Sequence, residues 1–482
     1  MLPRLWPAVL SIGWILLAIA TAEAVMAAFS YFIGDGEFYA FSISACVTAL
    51  FAGGCILTTG GRKFELNFRD AIILTVSAWV FVPAFAAVPF LLPPVDLTPV
   101  DAYFEMVSGI TTTGSTVMTG LDSQPPTLLL WRSTVQWIGG IGIIGLAILV
   151  LPFLNIGGMQ LFRLESSDRG EKTFPRVRSI ASAVGQVYVL LTALCFITYW
   201  LLGMSAFDAI NHAMTTLATA GFSTHDSSFG YFQNPAILWA AIVFMASGAI
   251  PFLAYLRFVR GGFRREWIEP QVRAFLVVLV VCIAVVAVWL MGAGHHFGFD
   301  ALTHAAFNVT SVISTTGYAS TDYMQWGAFA AGTFFLLTFV GGCSGSTAGG
   351  VKIFRYQMMF GMVGQHVRQA VFPHSVHHIR YGARVVSGEE AASVGAFFIV
   401  FMVIFAGFAA VLAATGLDTT TAMSAAATAI GNVGPGIGPI VGPAGNFATL
   451  TDVQKLLLCG AMVMGRLELF GILVLFMPSF YR

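Results

Sequence analysis

The chain has 482 residues, of which 57% are hydrophobic and 10% charged, with 23 basic residues against 23 acidic ones. A soluble globular domain carries about 25% charged residues, so this composition excludes one and indicates a polytopic membrane protein. A formal net charge of zero gives no footing for nucleic acid or for a generally basic membrane-surface binder.

Taken in order, the chain opens with Arg4 and an apolar run that continues to about Ile33. That is longer than the roughly 7–15 apolar residues of a secretory leader, so it reads as a retained transmembrane helix. Segments long enough to span a bilayer, at roughly 20 residues each, lie near 7–33, 38–58, 70–92, 127–151, 181–204, 235–259, 273–293, 326–362, 389–414 and 449–477. In four of the connections, beginning with the one after the third span, a shorter segment ends in a loop of similar composition. The last eight spans therefore group as four helix–loop–helix units, and the first two stand outside. The expected division is a two-helix region at 1–69 followed by units at 70–180, 181–272, 273–388 and 389–482. Cys46, Cys55, Cys195, Cys282, Cys343 and Cys459 have no metal-ligand spacing and read as small buried hydrophobes.

Lys and Arg accumulate in cytoplasmic loops. Here they concentrate at Arg4, in 62–69, 163–178, 257–273 and 352–384, and at Arg482, which places both termini in the cytoplasm. The four loop-bearing connections hold no Lys or Arg from Pro93 to Leu130, Gly203 to Trp239, Met291 to Trp326 or Gly416 to Gln454. They do hold Asp96, Asp101, Glu105, Asp122, Asp208, Asp226, Asp300, Asp322, Asp418 and Asp452. An acidic, base-free mouth would concentrate cations.

The four loops carry Thr112-Thr113-Gly114-Ser115-Thr116, Thr219-Ala220-Gly221-Phe222-Ser223, Thr315-Thr316-Gly317-Tyr318-Ala319 and Asn432-Val433-Gly434-Pro435-Gly436, their third-place glycines 107, 96 and 117 residues apart. The third is close to the Thr-Val-Gly-Tyr-Gly carbonyl filter of potassium channels, and the repeat lets one chain supply a whole ring. Glycine at the third place permits positive φ, so that successive carbonyls can face an axis. Asp101 and Asp208 each lie 13 residues before their glycine, while Asp300 and Asp418 lie 17 and 16 before theirs. Asp is a good N-cap, so these positions predict short helices of about 11 residues, roughly 16 Å long, that enter the bilayer and stop. Their carbonyl ends would favour a cation.

On these motifs the sequence resembles the TrkH/KtrB/HKT superfamily of potassium uptake proteins over essentially its whole length. The resemblance implies an all-α fold of four M1–P–M2 units of potassium-channel type around one central pore, with two extra N-terminal helices. It implies ion coordination by Thr112, Thr113, Gly114, Thr219, Ala220, Gly221, Thr315, Thr316, Gly317, Asn432, Val433 and Gly434. It also implies that four glycines favour potassium whereas serine in the first loop admits sodium.

Two features look like gates. The eighth span is interrupted by Gly341-Gly342-Cys343-Ser344-Gly345-Ser346-Thr347-Ala348-Gly349-Gly350, too glycine-rich for a helix. It does not read as a nucleotide loop, since Val351 stands where the motif requires lysine. The resemblance implies a mobile plug beneath the filter, with Gly341, Gly342, Gly345, Ser346, Thr347, Gly349 and Gly350 in it; static close packing is the other reading. Arg466 lies deep in the last span, where an Arg costs at least about 2.5–3.5 kcal/mol unless it meets water or a partner. It is either a pore-facing charge, as the resemblance implies, or a structural pair with Glu468 or Glu23.

The stretch His374-x-x-His377-His378, with His366 before it, reads as a solvated cytoplasmic face rather than a metal site. The resemblance implies a bacterial inner-membrane protein that dimerises and docks a cytoplasmic ring of TrkA-type nucleotide-binding subunits. It also implies potassium as the transported ion, with no covalent cofactor. Proton- or sodium-coupled symport stays open beside a gated channel. A membrane-embedded enzyme is not expected, because no His-Glu-x-x-His or comparable cluster is present; a structural subunit is the remaining alternative.

Overall fold

The computed structural model describes residues 5–59, 68–149, 173–261, 269–374, 378–382 and 384–480. Their regular secondary structure is helical apart from a two-stranded hairpin, β1 (Arg380–Tyr381) with β2 (Arg384–Val385). Helices α1 (Leu5–Ile33) and α2 (Phe38–Thr59) pack on each other, and α1 rests on α3 (Phe68–Ala86) and α5 (Pro126–Leu149). The four units follow: α3, α4 (Pro99–Ile110) and α5; then α6 (Thr173–Leu201), α7 (Ala206–Leu217), α8 (Pro235–Gly248) and α9 (Phe252–Gly261). Next come α10 (Pro270–Ala293), α11 (Gly298–Ile313), α12 (Ala328–Leu337) and α13 (Ile353–Val371), then α14 (Gly388–Ala414), α15 (Thr419–Gly431), α16 (Asp452–Arg466) and α17 (Phe470–Leu473).

Among the described residues, six helices are long and apolar enough to cross a membrane, and two bent pairs bring the number to eight. The six include the two N-terminal helices and the first helix of every unit. The second helices behave differently. The run at 326–362 breaks at the glycine-rich loop, as expected, but the runs at 235–259 and 449–477 are not continuous spans either. Helix α8 turns by 94° into α9, and α16 by 103° into α17. Pro251, without an N–H to donate, sits in the first break, and Glu468 and Leu469, at φ 54° and 59°, form the second. Their left-handed backbone carries no sequence signal, since neither is Gly or Asn.

The short helices start where predicted but with different caps. Thr98 and Ser205 are the N-caps of α4 and α7, accepting from Asp101 N–H and Asp208 N–H, so those aspartates stand at the third helical position. Only Asp418, ahead of α15, caps directly. The packing of short helix on neighbour then runs around a circle: α7 packs on α5, α11 on α8, and α4 on α16. Three of the four short helices thus rest on the second helix of the preceding unit, and the α4–α16 contact joins the last unit to the first. Cys195, Cys343 and Cys459 are buried, whereas Cys46 is exposed and Cys55 and Cys282 are half-buried.

Close helix approach depends on glycine at two repeat-related places. A Cβ at Gly139 would lie 2.1 Å from Ile110 O, and one at Gly465 2.0 Å from Ile430 O. Gly465→Ala is expected to destabilise the fold by roughly 1–3 kcal/mol, read as a lower melting temperature in detergent; a melting temperature equal to that of the unsubstituted chain contradicts it.

Candidate functional site

All four short helices end identically. The N–H groups of Thr113, Ala220, Thr316 and Val433 donate to Ser108 O, Thr215 O, Ser311 O and Thr428 O at 2.8–3.0 Å. Those of Thr112, Thr219, Thr315 and Asn432 donate to Gly109 O, Thr216 O, Val312 O and Ala429 O at 3.0–3.3 Å. This paired pattern is the Schellman helix end, whose terminal residue takes the left-handed conformation and is usually glycine. Here it is Thr112 (φ 52°), Thr219 (48°), Thr315 (58°) and Asn432 (53°). A β-branched residue there is strained by about 1–3 kcal/mol. Asn tolerates the conformation better, which explains why the fourth loop departs from threonine.

Two residues on, Gly114, Gly221, Gly317 and Gly434 have φ of 86°, 82°, 85° and 97°. Left-handed residues at the first and third places flank a second place outside that region, an alternation that turns carbonyls toward one side. The ring closes residue by residue. A Cβ on Gly114 would fall 2.2 Å from Ala220 O, on Gly221 2.0 Å from Thr316 O, on Gly317 2.2 Å from Val433 O, and on Gly434 2.7 Å from Thr113 O. The second- and third-place residues of all four loops therefore meet in one closed circle.

The loops are held from behind by side chains whose partners the sequence does not reveal. Glu105 of α4 is fully buried, with Arg132 of α5 2.7 Å away, and it accepts from Thr116 Oγ1 and Val117 N–H. Arg132 also donates to Ser223 O in the next unit at 3.2 Å and lies over the Phe222 ring at 4.1 Å. Gln136 accepts from Phe222 N–H and donates to Ala220 O at 2.7 Å. His212 Nε2 is 3.0 Å from Ser223 Oγ, and Asn308 brackets Ser320 at 2.9 and 3.2 Å. Tyr318 reaches back to Thr215 and Thr216 of α7. Glu105, His212 and Asn308 each lie nine residues before their glycine, which is the signal that could have found them.

The 341–350 loop lies against one face of this ring. Gly349 N–H donates to Thr315 Oγ1 at 2.7 Å, Gly350 N–H to Gly431 O at 2.9 Å, and Thr347 Oγ1 is 3.1 Å from Thr219 Oγ1. It therefore touches the first-place region of three loops. Gly341 folds back on Gly349 and Gly350, Gly342 packs on Ala348, and Ser346 donates to Cys343 O. Cys343 N–H and Gly345 O bond to Ala249 and Phe252 at the α8–α9 break. Arg466 is 2% exposed, and none of its three guanidinium nitrogens has a hydrogen-bond partner. It lines a small cavity with Gly349, Gly350, Lys352 and Glu468. Neither expected carboxylate pairs with it: Glu468 is held by Lys352 Nζ at 2.9 Å and by Arg355, and Glu23 by Ser44 at 2.8 Å.

The opposite face opens into a vestibule lined by Gly114, Gly221, Gly317, Pro435, His225 and Asp226. The acidic mouth is less free than its composition suggests. Glu105 is neutralised by Arg132, Asp101 by Lys455 at 2.5 Å, and Asp322 and Asp418 cap helices. Asp122 is held below the usual carboxylate range by its hydrogen bond from His225.

A family model described as TrkH, cation transport protein, matches residues 39–480. The Trk system potassium uptake protein TrkI of Halomonas elongata is 43% identical over 475 residues, covering 98% of this chain and 96% of that protein. The Trk system potassium uptake protein TrkH of Escherichia coli is 34% identical over 427 residues, covering 87% and 88%. The crystal structure of the potassium transporter TrkH from Vibrio parahaemolyticus matches with a TM-score of 0.92 at 32% identity, covering 100% of both chains.

Removing one partner of a buried ion pair leaves an uncompensated charge, at a cost of about 3–5 kcal/mol. Arg132→Met should therefore lower the melting temperature strongly, and adding Glu105→Gln should recover much of the loss. Equal melting temperatures for single and double variants contradict this assignment.

Proposed function

The chain belongs to the TrkH family of cation transport proteins, and on that premise we propose that it carries potassium into the bacterial cell across the inner membrane. The family is one of transporters, not of enzymes. Potassium passes through the ring of Thr112-Thr113-Gly114, Thr219-Ala220-Gly221, Thr315-Thr316-Gly317 and Asn432-Val433-Gly434, where backbone carbonyls replace its water shell. The observation that carries this reading is the closed circle in which each glycine faces the second-place carbonyl of the next loop. Thr112 Oγ1 and Asn432 Oδ1, buried without hydrogen-bond partners, supply further oxygens on the cargo's path.

Below the ring, the 341–350 loop is the movable obstruction and Arg466 the electrostatic one. A buried, unpartnered guanidinium beside the loop opposes a departing cation, and it is left uncompensated because the neighbouring Glu468 is already shared between Lys352 and Arg355. The units run at 70–180, 181–272, 273–388 and 389–482 after the helices of 1–69, with termini in the cytoplasm. The membrane chain forms a homodimer, and the basic face that includes Arg368, Arg380 and Arg384 docks a ring of TrkA-type nucleotide-binding subunits. His377 of that face lies outside the described residues.

Two measurements test this. Gly114→Ser places a side chain at φ 86°, against Ala220 O, and should lower the potassium-to-sodium permeability ratio roughly tenfold, the effect of about 1.4 kcal/mol; an unaltered ratio in reconstituted liposomes sinks the filter assignment. Arg466→Ala should raise potassium flux by a similar factor, whereas unchanged or lower flux in a normally folded variant counts against the barrier role.

A further inference from the structure

At the start of α11, on the vestibule side, two histidines and a carboxylate converge. His296 Nδ1 lies 2.5 Å from Asp300 Oδ2, and His304 Nε2 lies 3.3 Å from Asp300 Oδ1. Asp300 and His304 are one helical turn apart on the same face, and His296 reaches them from the turn just before the helix. One ligand atom from each lies within 4.8 Å of the others. Zinc ligands sit about 2.0–2.1 Å from the metal, hence roughly 3.3 Å apart in a tetrahedron. The remaining difference is closed by rotating Asp300, 60% exposed, and His296, 23% exposed.

The orientation of His304 is fixed from behind. Its Nδ1 is 2.9 Å from Ser320 Oγ, and Asn308 donates to the same hydroxyl at 2.9 Å. Such an outer partner sets the tautomer and ring angle of a metal-binding histidine. The His296 ring is walled by His304 at 4.9 Å and by the edge of Trp326 at 6.0 Å, while the exposed Asp300 leaves an approach from solvent. Two imidazoles and one carboxylate with an open position suit zinc and its neighbours, not calcium or magnesium, which take oxygen ligands.

We propose that His296, Asp300 and His304 bind one divalent transition-metal ion of the zinc class, and that occupancy restrains the third loop of the ring through His304 and Ser320. Ser320 stands three residues after Gly317, so a metal that clamps His304 clamps the outer end of that loop. The restraint on flux rests on the proposed transport function; the binding does not.

The test uses the full chain, purified in detergent. Calorimetric titration with zinc chloride should show one saturable site per chain, and cobalt(II) should develop the visible absorption of a low-symmetry site with nitrogen ligands. His296→Gln and Asp300→Asn should each weaken binding about tenfold or more, while the double variant His374→Gln/His378→Gln leaves it unchanged. No saturable binding, affinity in the His296→Gln and Asp300→Asn variants equal to that of the unsubstituted chain, or loss confined to the His374→Gln/His378→Gln variant overturns the site. In liposomes, zinc on the vestibule side should slow potassium flux through the unsubstituted chain but not through His296→Gln. Zinc that binds and leaves the flux of the unsubstituted chain unchanged overturns the coupling.

Discussion

The left-handed residue at the end of each short helix is the constraint on which the rest depends. A Schellman end reverses the chain abruptly, so the backbone leaving α4, α7, α11 or α15 continues toward the axis instead of crossing the bilayer. Irregular backbone at that depth survives only inside protein or against water. Both are provided: each loop is backed by side chains of its own and the neighbouring unit, and the loops meet in a circle. Threonine at three of the four ends makes the turn strained, and the buried ties of Glu105, Gln136, His212, Asn308 and Tyr318 hold it.

One chain supplying four unequal loops gives an unequal ring. Ala220 O already accepts from Gln136, Gly434 O accepts from Ser115 Oγ at 3.1 Å, and the fourth loop ends its short helix with asparagine. The same inequality appears below. Three of the four second helices break at or just beneath the level of the ring, each differently, and the longest break supplies the 341–350 loop. A single chain can thus give one unit a long loop beneath the ring without repeating it in the others, an option closed to four identical subunits. The Lys352–Glu468–Arg355 cluster joins the end of that loop to the break in α16, so the loop and Arg466 are mechanically neighbours.

Much of this was legible in the residues. Apolar length located the membrane helices, and the glycine recurring in four loops located the ring, because both reflect requirements that only certain residues meet. What could not be read were features carried by ordinary residues in unusual conformations. Thr112, Thr219 and Thr315 are poor candidates for positive φ, and nothing marks Glu468 and Leu469 as a helix break. Nor does composition reveal pairing: Glu105 and Asp101 counted as free carboxylates until Arg132 and Lys455, distant in sequence, proved to face them. Arg466 shows the reverse, a charge whose depth was plain from its place in an apolar run but whose lack of a partner required the fold.

The proposed function requires the second-place carbonyls of four unequal loops to form one site for a dehydrated cation. Anomalous diffraction from crystals of the full chain grown with rubidium or thallium in place of potassium tests it most directly. The account predicts a peak on the ring axis bounded by the carbonyl oxygens of Thr113, Ala220, Thr316 and Val433. A map with no peak in that circle, or with the ion bound only in the vestibule beside Asp226, would contradict it.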